Sequence, residues 1–159
     1  MVTEELGCKL VEVTGGEPLA QPNCRILLQE LVDRGFTVLL ETSGAYPIAD
    51  LSPQVHKIMD LKCPSSGESH RNLWENLDFI SRRDEIKFVM GSREDYEWAR
   101  TAVRAHNLET RCGAVLFSCV FGKLDPKLVV EWMLEDKLYA SRFQLQAHKF
   151  IWEPEAKGV

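Results

Sequence analysis

The sequence has 159 residues, 45% hydrophobic and 27% charged, the balance of one soluble domain with a core of its own. Its formal charge of -5 argues against a face that neutralises nucleic-acid phosphates, so no nucleic-acid partner is expected. No apolar run approaches the ~18 residues of a membrane helix, and Met1 to Gly7 show no signal-peptide pattern, so the reading is a cytoplasmic protein without a membrane partner.

Lys9 to Thr14 reads as a short strand that runs into Gly15-Gly16-Glu17-Pro18. A glycine pair lets backbone groups come close to a ligand because no Cβ intervenes, and the carboxylate beyond it suits an ammonium. The plain structural reading is a tight turn. The stretch is neither a phosphate loop nor a dinucleotide fingerprint. Pro22 to Arg34 follows as a helix with Ile26, Leu27, Leu31 and Val32 inward and Gly35 as its stop. Phe36 to Glu41 is an apolar run of the kind buried on both faces of a sheet. It ends in Glu41-Thr42-Ser43-Gly44. His56 to Leu61 is the next strand, ending at Asp60-Leu61-Lys62-Cys63-Pro64.

A polar loop, Ser65 to Arg71, leads to a predicted helix over Asn72 to Ser81 with Leu73, Leu77 and Ile80 inward. Glu85 to Met90 is a strand carrying Lys87. Ser92 caps a helix to His106, with Glu94 and Asp95 at its positive end. Ala114 to Cys119 is a strand, Asp125-Pro126 opens a helix to Asp136, and Arg142 to Gln146 is the last strand. The tail from His148 carries no clear element. The alternation argues for one α/β domain over residues 1–159 with a parallel sheet. Thr14, Glu17, Glu41, Ser43, Asp60, Lys62, Lys87, Ser118, Gln146 and His148 all fall near strand ends. Singly, each is a cap or a solvated loop residue; Lys87 could salt-bridge an acid and His148 could lie on the surface. Gathered at one end of a parallel sheet, they would line one mouth, the usual site of a barrel or half-barrel. The five cysteines, Cys8, Cys24, Cys63, Cys112 and Cys119, are odd in number and widely spaced. Neither a disulfide framework nor a Cys-x-x-Cys half-site is present.

Thr14-Gly15-Gly16-Glu17-Pro18 resembles the glycine-glycine-glutamate motif of radical S-adenosylmethionine enzymes. With Glu41-Thr42-Ser43-Gly44, Asp60-Leu61-Lys62-Cys63-Pro64, Lys87-Phe88-Val89 and Leu145-Gln146-x-His148-Lys149, the chain resembles the 7-carboxy-7-deazaguanine synthase family from about residue 9 to residue 154. The resemblance implies a lyase of the queuosine and 7-deazapurine pathway. Its reaction is the ring contraction of 6-carboxy-5,6,7,8-tetrahydropterin to 7-carboxy-7-deazaguanine with loss of ammonia. It also implies a [4Fe-4S] cluster that reduces S-adenosylmethionine, a radical that abstracts a substrate hydrogen, Mg2+, an electron donor such as flavodoxin, and a homodimer.

Carried over by position, the resemblance implies S-adenosylmethionine contacts at Gly15, Gly16, Glu17, Ser43, Asp60, Leu61, Lys62, Ser118, Cys119, Val120 and Phe121. It implies substrate contacts at Thr14, His148 and Pro154. Two departures accompany it. The family's three clustered cysteines and the threonine magnesium ligand behind them are absent from this sequence, so no catalytic or metal residue is identified. The expected fold is a partial (β/α)6 barrel of the radical type with its first β/α unit missing, inactive alone without the cluster loop. The alternative is a non-catalytic remnant or binding subunit that retains an S-adenosylmethionine or nucleoside pocket. The tail also runs past Pro154, where some family members place a terminal carboxylate on the substrate.

Overall fold

The computed structural model describes residues 7–156; the N-terminal stretch read above, apart from Gly7, and the last three residues of the tail lie outside them. Six strands form one sheet: β1 (Leu10–Val13), β2 (Thr37–Thr42), β3 (His56–Asp60), β4 (Glu85–Met90), β5 (Ala114–Cys119) and β6 (Arg142–Phe143). Every pairing is parallel, and the spatial order is the chain order. Parallel neighbours need crossover connections of one hand. Without a reversal of strand order, those crossovers fall on one side of the sheet. They carry α1 (Cys24–Asp33), α2 (Arg93–Ala105), the single turn α3 (Leu108–Arg111) and α4 (Pro126–Glu135), and a further turn, α5 (His148–Ile151), follows β6. The expected α/β class and parallel sheet are present. The sheet is open among the described residues, with β1 and β6 as its edges, so these residues do not close a barrel.

Side chains alternate between the two faces of a strand. One face meets the helices: Val38, Leu40, Met59, Ile86, Phe88 and Phe117 join Leu28, Leu31, Tyr96, Val103 and Val129 in a single core. The other face mixes apolar and polar side chains: Leu39 lies level with His56, Glu41 with Ile58 and Glu85, Asp60 with Lys87 and Leu116, and Ser118 with Val89. Charged and polar groups therefore run along this face to the C-terminal ends of the strands.

One ion pair interrupts the helix face. Lys57, 4% exposed, approaches Asp84, 0% exposed, at 3.0 Å. Asp84 also accepts the Lys57 N–H at 2.9 Å and both the N–H and the hydroxyl of Ser81 at 2.8 Å. A buried charge is tolerated when it is paired and its remaining lone pairs are filled, as these are.

Four local expectations change. Residues 72–81 hold a 3-10 helix, Trp74–Phe79, where an α-helix is predicted. The Asn76 amide donates to Gly44 O and Tyr46 O and its oxygen accepts from Ile48 N–H, while Asn72 grips both backbone groups of Lys62. These ties set the path of the segment in place of α periodicity. On α1 the buried residues are Cys24, Leu28, Leu31 and Val32, spaced i, i+4, i+7, i+8, and Ile26 and Leu27 are exposed. Strand β6 keeps two residues of the predicted five; Gln144 N–H still reaches Phe117 O at 2.8 Å, and then the chain leaves the ladder. The tail forms the turn α5.

Candidate functional site

The loop after β1 is shaped by its glycines and closed by Glu17. Gly15 sits at φ 141°, a conformation that side chains rarely adopt, and a Cβ added at Gly15 or Gly16 would meet no atom within 4 Å. Their backbone therefore borders open space that a ligand can approach. Glu17 caps the 3-10 turn Pro18–Ala20 by accepting from Leu19 N–H at 3.0 Å. The same oxygen accepts from the Thr42 hydroxyl at 2.9 Å, and the other accepts from Ser43 N–H at 2.7 Å and from the Ser43 hydroxyl. A carboxylate offers about four lone-pair positions, and all are occupied by the protein. Glu17 thus ties the β1 loop to the β2 loop, which leaves its side chain no lone pair for the ammonium that the sequence suggested.

Above the sheet's free face lies a polar cavity of about 120 Å³ bordered by Thr14, Gly15, Gly16, Ser43, Asp60 and Lys62, with Glu41 and Lys87 toward its floor. Gly16, Ser43 and Lys62 also border an adjoining hollow of about 210 Å³ that reaches Glu17, Tyr46 and Asn72. Thr14 donates to Glu41 at 3.0 Å, Lys87 stands 3.6 Å from the same carboxylate, and Lys62 binds Asp60 at 2.6 Å. Glu12, at the sheet edge, has its carboxyl raised above the ordinary range by partial burial and by Glu41, against the pull of Lys87. Asp60 Oδ1 and Ser118 Oγ are buried without a hydrogen-bond partner, and Ser118 is 1% exposed. Buried polar atoms are almost always paired, so these two mark places where the protein alone is incomplete.

A second cavity, about 420 Å³ and mainly apolar, opens beyond the ends of β5 and β6. Cys119, Phe121, Leu124, Phe143, Leu145 and Phe150 line it, and the Phe121 and Phe150 rings meet edge-on at 5.4 Å. Of the residues singled out from sequence, Thr14, Gly15, Gly16, Ser43, Asp60 and Lys62 come together at the polar cavity. Glu17 borders the hollow beside it, and Cys119 and Phe121 line the apolar one. Leu61 is 0% exposed within the core, so only its backbone is near the mouth. Val120 follows β5 and donates its N–H to Met90 O at 2.8 Å. His148, exposed, and Pro154, whose carbonyl accepts from Lys149, border none of the three hollows. In the sequence Glu41 and Lys87 stand out only as motif and strand-end residues; their signal is charge within otherwise apolar strands.

The described residues do not fit an iron–sulfur cluster. Such a cluster needs closely placed thiolates, and no group of three His, Cys, Asp or Glu side chains among the described residues could hold a metal. Cys24, Cys63, Cys112 and Cys119 are buried, and burial is the main cause raising each thiol above its ordinary value, Cys119 to about 11. These are packed thiols.

A parallel sheet that gathers paired charges, a glycine cradle and unsatisfied polar atoms at its C-terminal end defines a small-molecule site of the α/β enzyme type. No family model matches the chain. It is 47% identical to the 7-carboxy-7-deazaguanine synthase of Koribacter versatilis, covering 94% of this chain and 72% of that one. The same-named proteins of Chlorobaculum tepidum and Clostridium acetobutylicum are 46% and 34% identical, covering 94% and 98% of this chain and 68% and 72% of theirs. The chain belongs to the 7-carboxy-7-deazaguanine synthase family.

Proposed function

We propose that this chain carries the S-adenosylmethionine and pterin sites of a 7-carboxy-7-deazaguanine synthase, on the wall of a partial (β/α)6 barrel. The reaction is the contraction of 6-carboxy-5,6,7,8-tetrahydropterin to 7-carboxy-7-deazaguanine with loss of ammonia, in 7-deazapurine and queuosine biosynthesis. S-adenosylmethionine, when bound, supplies radical chemistry. The chain's own residues supply binding, orientation and exclusion of water. The Gly15-Gly16 backbone accepts the amino-acid end, Glu17 fixes that loop, and Ser43, Asp60 and Lys62 border the ligand. Ser118 and the apolar cavity beyond β5 take the adenosine end, with Cys119, Val120 and Phe121 beside it. Thr14, joined by the Glu41 it donates to, borders the pterin. His148 and Pro154 approach the substrate only after the tail shifts from its present place.

The observation that carries this reading is that two of the three unpartnered buried side-chain atoms among the described residues, Asp60 Oδ1 and Ser118 Oγ, belong to residues that the family resemblance assigns to the cofactor; the third is His56 Nε2. The cluster, Mg2+, an electron donor such as flavodoxin, and a homodimer belong to the family reading; the residues described here provide no ligands for a cluster. The dispersed cysteines favour one second reading, a binding subunit that keeps the pocket and receives cluster ligands from elsewhere. Calorimetric titration with S-adenosylmethionine tests the proposal. Ser118→Ala removes a buried hydroxyl without a protein partner, so the melting temperature should hold or rise. Affinity should nevertheless fall by roughly fivefold to tenfold, the worth of one hydrogen bond. Equal affinity in the two proteins would refute the assignment.

A further inference from the structure

The ammonium of Lys87 is the unused group of the site. Lys87 lies on β4 level with Asp60, its side chain 19% exposed, and reaches across β3 to within 3.6 Å of Glu41 on β2. That separation is an ion pair but too long for a hydrogen bond, and Lys87 Nζ donates no hydrogen bond among the described residues. Three N–H donors therefore border a cavity of about 120 Å³. Glu41 complements them. Its Oε2 is engaged by Thr14, and its Oε1, which faces Lys87, accepts no hydrogen bond among the described residues. A donor and an acceptor thus stand side by side on the same cavity wall.

A pterin presents the matching pattern on the lactam edge of its ring, where the C4 carbonyl oxygen accepts and the adjacent N3–H donates. A site that pairs such an edge discriminates strongly, because a ligand lacking the pattern leaves buried polar groups unpaired. We propose that Lys87 reads the pterin lactam: its ammonium donates to the C4 oxygen while Glu41 accepts from the neighbouring N–H. This rests on the pterin reading above and adds to it the residue that sets specificity. Lys62 is bonded to Asp60 Oδ2 at 2.6 Å, and the unpartnered Asp60 Oδ1 belongs to the cofactor reading above rather than to this edge.

The test compares two pteridine-6-carboxylates by fluorescence titration of the full chain. One carries the lactam (6-carboxypterin); in the other a 4-amino group replaces the carbonyl and N3 has no hydrogen. The wild-type protein should prefer the lactam by roughly tenfold or more, since the 4-amino group turns a donor toward Lys87. Lys87→Met should weaken lactam binding by a similar factor and bring the ratio of the two affinities close to one. The urea midpoint of the same variant should stay close to that of the wild-type protein, showing an intact fold. General damage would weaken both pteridines together and keep the ratio, which would overturn the inference. Equal affinities in the wild-type protein would also overturn it, even if the methionine variant failed to fold. Binding of neither pteridine by the wild-type protein would remove the pterin reading and this inference with it.

Discussion

Glu17→Ala should abolish S-adenosylmethionine binding in the accessible concentration range, a loss of at least roughly a hundredfold, and lower stability by about 2–4 kcal/mol. The reason is local. The Glu17 carboxylate is the shared acceptor for Leu19 N–H, the Thr42 hydroxyl, and the N–H and hydroxyl of Ser43. Its removal leaves these donors without their acceptor, frees the β1 loop from the β2 loop and lets the Gly15-Gly16 backbone drift out of its cradle. Glu17→Gln should be nearly as damaging. An amide has one accepting end, so its NH2 would face either the Leu19 and Thr42 donors or those of Ser43. A carboxylate that served only a ligand ammonium would give a different result: binding would fall while urea midpoints stayed put.

The second large effect is at the opposite end of the sheet. Asp84→Ala should destabilise the chain by about 3–5 kcal/mol, the cost of leaving a buried partner charge unpaired. Lys57 would remain 4% exposed with only the Val55 carbonyl, 3.3 Å away, to receive its ammonium. Ser81 N–H and Lys57 N–H would lose their acceptor as well. Lys57→Met should cost clearly less, because Asp84 would keep three hydrogen bonds. Urea denaturation of the two variants measures the difference. Against a domain stability of roughly 5–15 kcal/mol, the aspartate variant would lie near the edge of folding. Equal midpoints for the two would contradict the asymmetry.

Much of this architecture is readable in the residues. The apolar runs around Phe36–Glu41, Glu85–Met90 and Ala114–Cys119 become β2, β4 and β5. Ser92 and Asp125 cap the helices they were expected to open, through Asp95 N–H and Lys127 N–H. Such features depend on short-range sterics and hydrogen bonding. The misses share a different cause. The 72–81 segment has helical spacing at Leu73, Leu77 and Ile80, but Asn72 and Asn76 are claimed by backbone groups of distant loops. No local pattern announces such contacts. Ile26 and Leu27 look like core residues, yet Cys24 and Leu28 take the inward positions of α1.

The site shows the same division. Gly15, Gly16, Ser43, Asp60 and Lys62 are recognisable from their motifs, and they do meet at one cavity. The roles of Glu17 and Lys87 depend on partners 25 to 46 residues away, Thr42, Ser43 and Glu41, and on which face each strand turns to the helices. The register that brings Lys87 level with Asp60 and within reach of Glu41 is a property of the assembled sheet.

The most direct test of the whole account is a map of S-adenosylmethionine onto the labelled chain by amide chemical shifts. The expected result is a contiguous set of shifts at Gly15, Gly16, Ser43 and Lys62, continuing through Ser118 to Phe121, with the amides of the outer helix faces unchanged. Saturable binding whose shifts lie on α1 or the exposed face of α4, or no shifts at all, would contradict the site proposed here.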